Sequence, residues 1–169
     1  MKQSKLLFNR AKIIARVKKL QKQGKRVVFT NGCYDILHAG HIRFLTAARK
    51  LGEVLVVALN SDKSVHEIKG PLRPLVPQAE RAEMLAALEC VDFVTIFNES
   101  EPYKIIKALL PNVLVKGGDW APDKIIGADV VKASGGKVKT IRYVKGKSTT
   151  NVIKKVLENY GGKKNKADL

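Results

Sequence analysis

Apolar and polar positions along the chain change period in a regular way. Residues 8–23 (FNRAKIIARVKKLQKQ) place Ile13, Ile14, Val17 and Leu20 on one stripe, the period of an amphipathic helix, with Gly24 as its stop. RVVFTN (26–31) then reads as a short buried strand. A helix over 40–51, closed by Gly52, leads to a second strand, VLVVALN (54–60), and a short polar helix follows it. Pro77 opens a helix over 77–89, rich in Ala, Leu, Met, Glu and Arg. DFVTIF (92–97), a helix over 101–110 ended by Pro111, and VLVK (113–116) continue the alternation. One or two helices over 122–134, a strand over 137–143 and a last helix over 149–159 complete it. Strands alternating with helices of this length imply βαβ units. Strands that are apolar almost throughout imply a sheet covered on both faces. The expected fold is α/β: a Rossmann-like, doubly wound, five-stranded parallel sheet with helices on both faces. The expected organisation is a basic helix over 1–24, a main domain over 25–158 and a flexible basic tail over 159–169.

Composition narrows the classes. The chain has 169 residues, 45% hydrophobic and 28% charged, which suits a globular domain and is too apolar for a disordered chain. No apolar run reaches the ~20 residues that span a bilayer. The N-terminus has charges throughout and no uninterrupted apolar core, so a secretory signal is not expected. Two cysteines, Cys33 and Cys90, exclude a disulfide framework and a four-cysteine zinc site. A reduced, cytoplasmic protein is expected. The net charge of +17 favours polyanionic partners: nucleic acid, anionic membrane or phosphorylated small molecules. Arg10 to Arg26 carries eight positive side chains, and the first acidic residue is Asp35.

In a doubly wound sheet, ligands bind beyond the carboxyl ends of the strands, where the strand order reverses. The segment there, TNGCYDILHAGH (30–41), lacks the glycines of the dinucleotide fingerprint. A P-loop is excluded as well, because the glycine that Gly146-Lys147-Ser148 would require is Ile141. Two of the chain's three histidines, His38 and His41, stand here at i and i+3. On a helix beginning near Ala39 both imidazoles face one ligand, beside the helix N-terminus. Gly32 and Gly40 allow close backbone approach. This arrangement suits an oligophosphate. Zinc is the weaker alternative, since helical histidine ligands are usually spaced i, i+4.

TNGCYDILHAGHIRFL resembles the signature of the HxGH nucleotidyltransferases, the cytidylyltransferase-like superfamily. KGPLRP (69–74), ERAEMLAALECVDFVTIF (80–97), VKGGDW (115–120) and KGKSTTNVI (145–153) extend the resemblance to the bacterial heptose 1-phosphate adenylyltransferases, over roughly residues 25–158. With no kinase domain in the chain, it resembles the stand-alone form. The resemblance implies transfer of AMP from ATP to D-glycero-β-D-manno-heptose 1-phosphate, giving ADP-heptose and pyrophosphate, with Mg2+ accompanying ATP. It implies His38, His41 and Lys69 at the reacting phosphates. Thr30, Asn31, Gly32, Cys33, Gly40, Lys116, Gly117, Gly118, Asp119, Ser148, Thr149 and Thr150 would hold the nucleotide. Asp35 would bind the sugar or orient its loop. Arg73 would reach the sugar phosphate, and Arg81 would bind substrate or pair with an acid. Ser148–Thr150 also suit a helix cap, and Trp120 suits packing. ATP and a sugar 1-phosphate are the expected partners, in a homodimer, without nucleic acid or membrane. Tyr143 stands where glycerol-3-phosphate cytidylyltransferases have an arginine, which argues against the cytidylyl branch. The alternatives are another nucleotide and acceptor pair within the superfamily, such as FMN adenylylation, or a basic nucleic-acid-binding protein.

Overall fold

A computed structural model describes residues 5–6, 8–118, 121, 124–142 and 148–161. The elements are α1 (Arg10–Lys22), β1 (Val27–Gly32), α2 (Ala39–Arg49), β2 (Val54–Asn60), α3 (Asp62–Lys69), α4 (Gln78–Ala87), β3 (Phe93–Phe97), α5 (Tyr103–Leu109), β4 (Val113–Gly117), α6 (Ala128–Ala133), β5 (Lys137–Ile141) and α7 (Thr149–Tyr160). The five strands form one parallel sheet in the order β3-β2-β1-β4-β5.

Alternation along the strands divides the core into two layers. Val27 and Phe29 of β1 face α1, α5 and α6, where Ile13, Val17, Ile106, Leu109 and Val131 are buried. Val28 faces the other way, toward Phe44, Leu45 and Ala48 of α2 and Ala82 and Leu85 of α4. The sheet is therefore covered on both faces, as its apolar strands require. The basic helix α1 belongs to this core through Ile13 and Val17, both fully buried. Asn9 caps it by accepting from the Lys12 N–H at 3.1 Å. Gly52 shows how tightly the α2–β2 turn passes the start of β1: a Cβ there would lie 2.5 Å from the Arg26 carbonyl oxygen.

The expected elements and the observed ones agree closely, with two exceptions. Of the one or two helices expected over 122–134, a 3-10 turn is seen at Lys124, whose N–H donates to Ala121 O at 2.9 Å, and α6 begins only at Ala128. Gly127 precedes it with φ +83°, a left-handed conformation that a right-handed helix cannot run through. The strand expected over 137–143 ends at Ile141. Residues 122, 123 and 143 lie outside the described residues, as do 162–169 of the expected tail.

Candidate active site

β1, β2 and β3 step to one side of the sheet, and β4 and β5 to the other. The order thus reverses between β1 and β4. Their register holds only through Val28–Val113 and Phe29–Leu114, whereas β1 and β2 stay paired from Val27 to Gly32. The carboxyl ends of β1 and β4 therefore part, and a cavity of about 550 Å³ opens there. That volume lies within the ~300–1,000 Å³ typical of small-molecule sites.

His38 and His41 stand together at the cavity wall. His38 is the N-cap of α2, and its Nδ1 accepts the Gly40 N–H at 3.1 Å. A neutral imidazole whose Nδ1 accepts carries its proton on Nε2, so His38 presents an N–H donor. The Gly40 N–H is thus already engaged, which leaves the helix dipole and the two histidines as what α2 offers to the cavity. The two rings stack with centroids 3.9 Å apart and planes inclined by 20°. Tyr34 meets His41 edge-on, with centroids 5.3 Å apart. Burial, and then the neighbouring His38, push the His41 pKa from 6.5 down to about 4. His41 is therefore neutral at pH 7. Its Nδ1 is buried and has no hydrogen-bond partner among the described residues.

The rest of the wall is cationic and hydroxyl-rich. Lys69 ends α3, Arg73 follows it, and Lys116 is the penultimate residue of β4. All three line the cavity. Burial holds Lys116 below the usual lysine range, while Cys33 opposes the shift. Burial raises the Cys33 thiol pKa, with Lys69, Arg81, Arg73 and Lys116 opposing that rise. Cys33 is thus a thiol at neutral pH rather than an activated nucleophile. Ser148 caps α7 by accepting the Asn151 N–H at 3.1 Å. Thr149 Oγ1 donates to the Ile36 carbonyl oxygen at 3.4 Å, joining the start of α7 to the β1–α2 loop. Thr150 completes the hydroxyl cluster at the rim. Asn31, Gly32, Gly40 and Gly117 also line the cavity. Asn31 contributes a buried Oδ1 with no partner among the described residues.

Two expected ligand residues serve the scaffold instead. The Asp35 carboxylate accepts from Leu75 N at 2.8 Å, from Val76 N at 2.9 Å and from Arg73 Nε. Of the two readings of Asp35, loop orientation is the one seen here. Arg81 does not reach the cavity. Its side chain is fully buried: Nη2 donates to Asn60 O at 3.0 Å and Asp62 Oδ1 at 2.8 Å, Nε to Val76 O at 2.8 Å and Nη1 to Cys33 O. It ties the motif loop to the end of β2 and to the loop before α4.

Two more expectations are corrected. Thr30 is fully buried within β1 and does not line the cavity. The Gly118 N–H is engaged by Ile141 O at 2.9 Å, and Gly118 also stands outside the lining. Asp119, Trp120 and Tyr143 lie outside the described residues.

A family model, cytidylyltransferase-like, matches residues 29–155, which contain all of the site described. The chain belongs to the cytidylyltransferase-like family. It is a nucleotidyltransferase on that ground. The bifunctional protein HldE of Trichlorobacter lovleyi is 54% identical over 138 residues, covering 82% of this chain and 28% of that protein. The corresponding protein of Geotalea uraniireducens is 54% identical over 144 residues, covering 85% and 29%. The chain thus spans less than a third of the length of these relatives. A crystal structure of a lipopolysaccharide core biosynthesis protein from Thermoplasma volcanium superposes with a TM-score of 0.57 at 30% identity, covering 72% of this chain and 98% of that one.

Within this family fold, three cavity residues escaped the sequence reading: Tyr34, Phe44 and Asn151. Each carried a signal. Tyr34 lies inside the histidine motif, and Phe44 and Asn151 stand three residues after His41 and Ser148, one helical turn along. As for a metal, no group of three or more His, Cys, Asp or Glu able to hold one occurs among the described residues. Asp35 is the carboxylate of the described lining, and its oxygens already accept from Arg73, Leu75 and Val76. Within the described lining, Asp35 is thus engaged by the scaffold rather than open to a metal ion. No helix among them is long and apolar enough to cross a membrane.

Proposed function

We propose that the chain transfers AMP from ATP to D-glycero-β-D-manno-heptose 1-phosphate, releasing pyrophosphate and forming ADP-heptose. The observation that carries this reading is the meeting of a stacked histidine pair, three cationic side chains and the capped start of α7 in one cavity at the strand-order reversal. The motifs running from KGPLRP to KGKSTTNVI support the heptose branch, and so do the relatives described above.

A phosphate oxygen of the sugar 1-phosphate attacks the α-phosphorus of ATP in line. The bond from that phosphorus to the bridging oxygen of the β-phosphate breaks, and pyrophosphate leaves with the electron pair. No covalent enzyme intermediate forms, consistent with Cys33 resting as a thiol. The chain's work is positioning and charge stabilisation. His38 Nε2 and the neutral His41 donate hydrogen bonds to phosphate oxygens on the reacting side. Lys69 and Lys116 neutralise negative charge as point cations, and Arg73, held by Asp35, offers its remaining donors to the sugar phosphate. The N-terminus of α7 and the hydroxyls of Ser148–Thr150 take the outer phosphates. Asn31 Oδ1, an acceptor, suits a hydroxyl or amine of substrate rather than a phosphate. A magnesium ion entering with ATP would be held by phosphates and water and would supply further charge neutralisation. The reading includes a homodimer, measurable by sedimentation equilibrium, and a cytoplasmic location, where ATP is available.

The test is a pyrophosphate-release screen pairing ATP and CTP with heptose 1-phosphate, glycerol 3-phosphate and FMN. ATP with heptose 1-phosphate is expected to give the highest kcat/KM, by at least about a hundredfold, the scale of discrimination a site's hydrogen bonds can supply. Release from another pair, with none from ATP and heptose 1-phosphate, would overturn the assignment.

A further inference from the structure

A second cavity, of about 500 Å³, lies at the opposite end of the sheet. It forms where the starts of β1, β4 and β5 meet the end of α1, and Lys25, Arg26, Lys137 and Lys139 line it. No acidic residue does among the described residues. None of the four cations takes part in an ion pair or a side-chain hydrogen bond among the described residues. The nearby acid is Glu53, which is spent on backbone: its Oε2 accepts the Arg26 N–H at 2.8 Å. That bond, aided by Arg26 and Lys25, holds its carboxyl below the usual range.

The backbone beneath these cations is fixed. Gln21 Nε2 donates to Leu110 O at 2.8 Å and to Asn112 Oδ1 at 3.3 Å. Asn112 Oδ1 accepts the Val27 N–H at 2.9 Å, and Asn112 O accepts the Lys137 N–H at 2.9 Å. Lys137 and Lys139, two apart on β5, project to the same side of the sheet. Four like charges around one concavity repel one another, and an anion seated among them relieves that repulsion. Among the described residues the lining holds no aromatic ring on which a base could stack. The chemistry therefore suits a compact, charge-dense anion rather than a nucleotide read by its base.

We propose that this amino-end cavity binds a small soluble oligophosphate, separately from the nucleotide cavity. The proposal does not depend on the reaction assigned above.

The experiment is amide proton–nitrogen correlation spectroscopy of the full chain, titrated with tripolyphosphate at about 0.15 M ionic strength, where long-range attraction is largely screened. Saturable shifts at Lys25, Arg26, Lys137 and Lys139 are expected. Lys137→Glu/Lys139→Glu is expected to weaken binding at this cavity by at least about tenfold, a modest loss for removing two of four cations. The charge-matched Lys104→Glu/Lys107→Glu, on α5, is expected to keep it. Shifts at Gly117 and Thr149 report the nucleotide cavity independently, so either site can fail without the other. Shifts that never saturate would overturn the proposal, and so would equal loss in the two double variants. Vesicles containing phosphatidic acid separate a lipid source from a free anion. Equal sedimentation of the two double variants is expected, and selective loss with Lys137→Glu/Lys139→Glu would overturn the soluble-ligand reading.

Discussion

α2 and α7 both point their N-termini at the carboxyl-end cavity, and both are capped by a residue that lines it, His38 and Ser148. They are held very differently. α2 buries Phe44, Leu45 and Ala48 against the sheet, and its leading loop is locked by Arg81 and Asp35. α7 buries no residue, and Val156, Leu157 and Tyr160 are more than half exposed. One polar link from it to the motif loop is the 3.4 Å bond from Thr149 to Ile36. A twelve-residue helix is marginal on its own propensity and depends on packing for its stability. The contrast divides the labour of the cavity. The histidine wall is preorganised by the core, whereas the hydroxyl wall, which on the proposed reading takes the outer phosphates, has little packing to hold it.

The strongest way to break this division is to remove what locks the fixed wall. Arg81→Met leaves the Asp62 carboxylate and three carbonyl oxygens without their donor, and should cost about 3–5 kcal/mol, the scale for opening a buried charge network. Urea unfolding would measure it, with loss of activity following loss of the fold. Leu45→Ala, a cavity in the layer under α2, should cost about 2–4 kcal/mol by the same measurement. The loose wall should respond weakly. Ser148→Ala removes one cap, about 1 kcal/mol of local helix stability, and the global unfolding midpoint should barely move. KM for the nucleoside triphosphate should nonetheless rise severalfold. Equal destabilisation by Ser148→Ala and Leu45→Ala would erase the distinction.

The pH dependence sharpens the same contrast from the side of the fixed wall. His41 titrates near 6.5 when unfolded and near 4 when folded, so below pH 6.5 the unfolded chain binds more protons. Stability from this group is complete above pH 6.5 and is lost as the pH falls through 4. Because His41 is partly solvated, the effect is screened to on the order of 1 kcal/mol. His41→Gln should flatten that part of the stability profile relative to the parent chain. An unchanged difference from pH 7 to pH 4 would show that His41 is not held neutral.

Much of this could be read from the chain. Short, nearly continuous apolar runs, punctuated by glycine and proline, gave five strands in their places. The spacing of His38 and His41, together with the hydroxyls at 148–150, gave residues that the fold brings to one cavity. What could not be read depends on which way a side chain turns. Thr30 lies in the motif, yet strand alternation sends it into the core. For Arg81 the sequence left substrate binding and pairing with an acid both open, and the pairing is what is seen: its partners come from three places in the chain, a convergence no local pattern contains. The late start of α6 turns on the left-handed backbone at Gly127, which composition favours but does not require.

The account rests on the stacked imidazoles, and one rate tests it most directly: pyrophosphate release in a single turnover by His38→Ala/His41→Ala, with near-native circular dichroism and thermal unfolding as the control for folding. Losing both phosphate donors should slow release by at least about a thousandfold, since one such donor typically contributes 10²–10³. Release within tenfold of the parent chain, from a folded sample, would contradict the central claim.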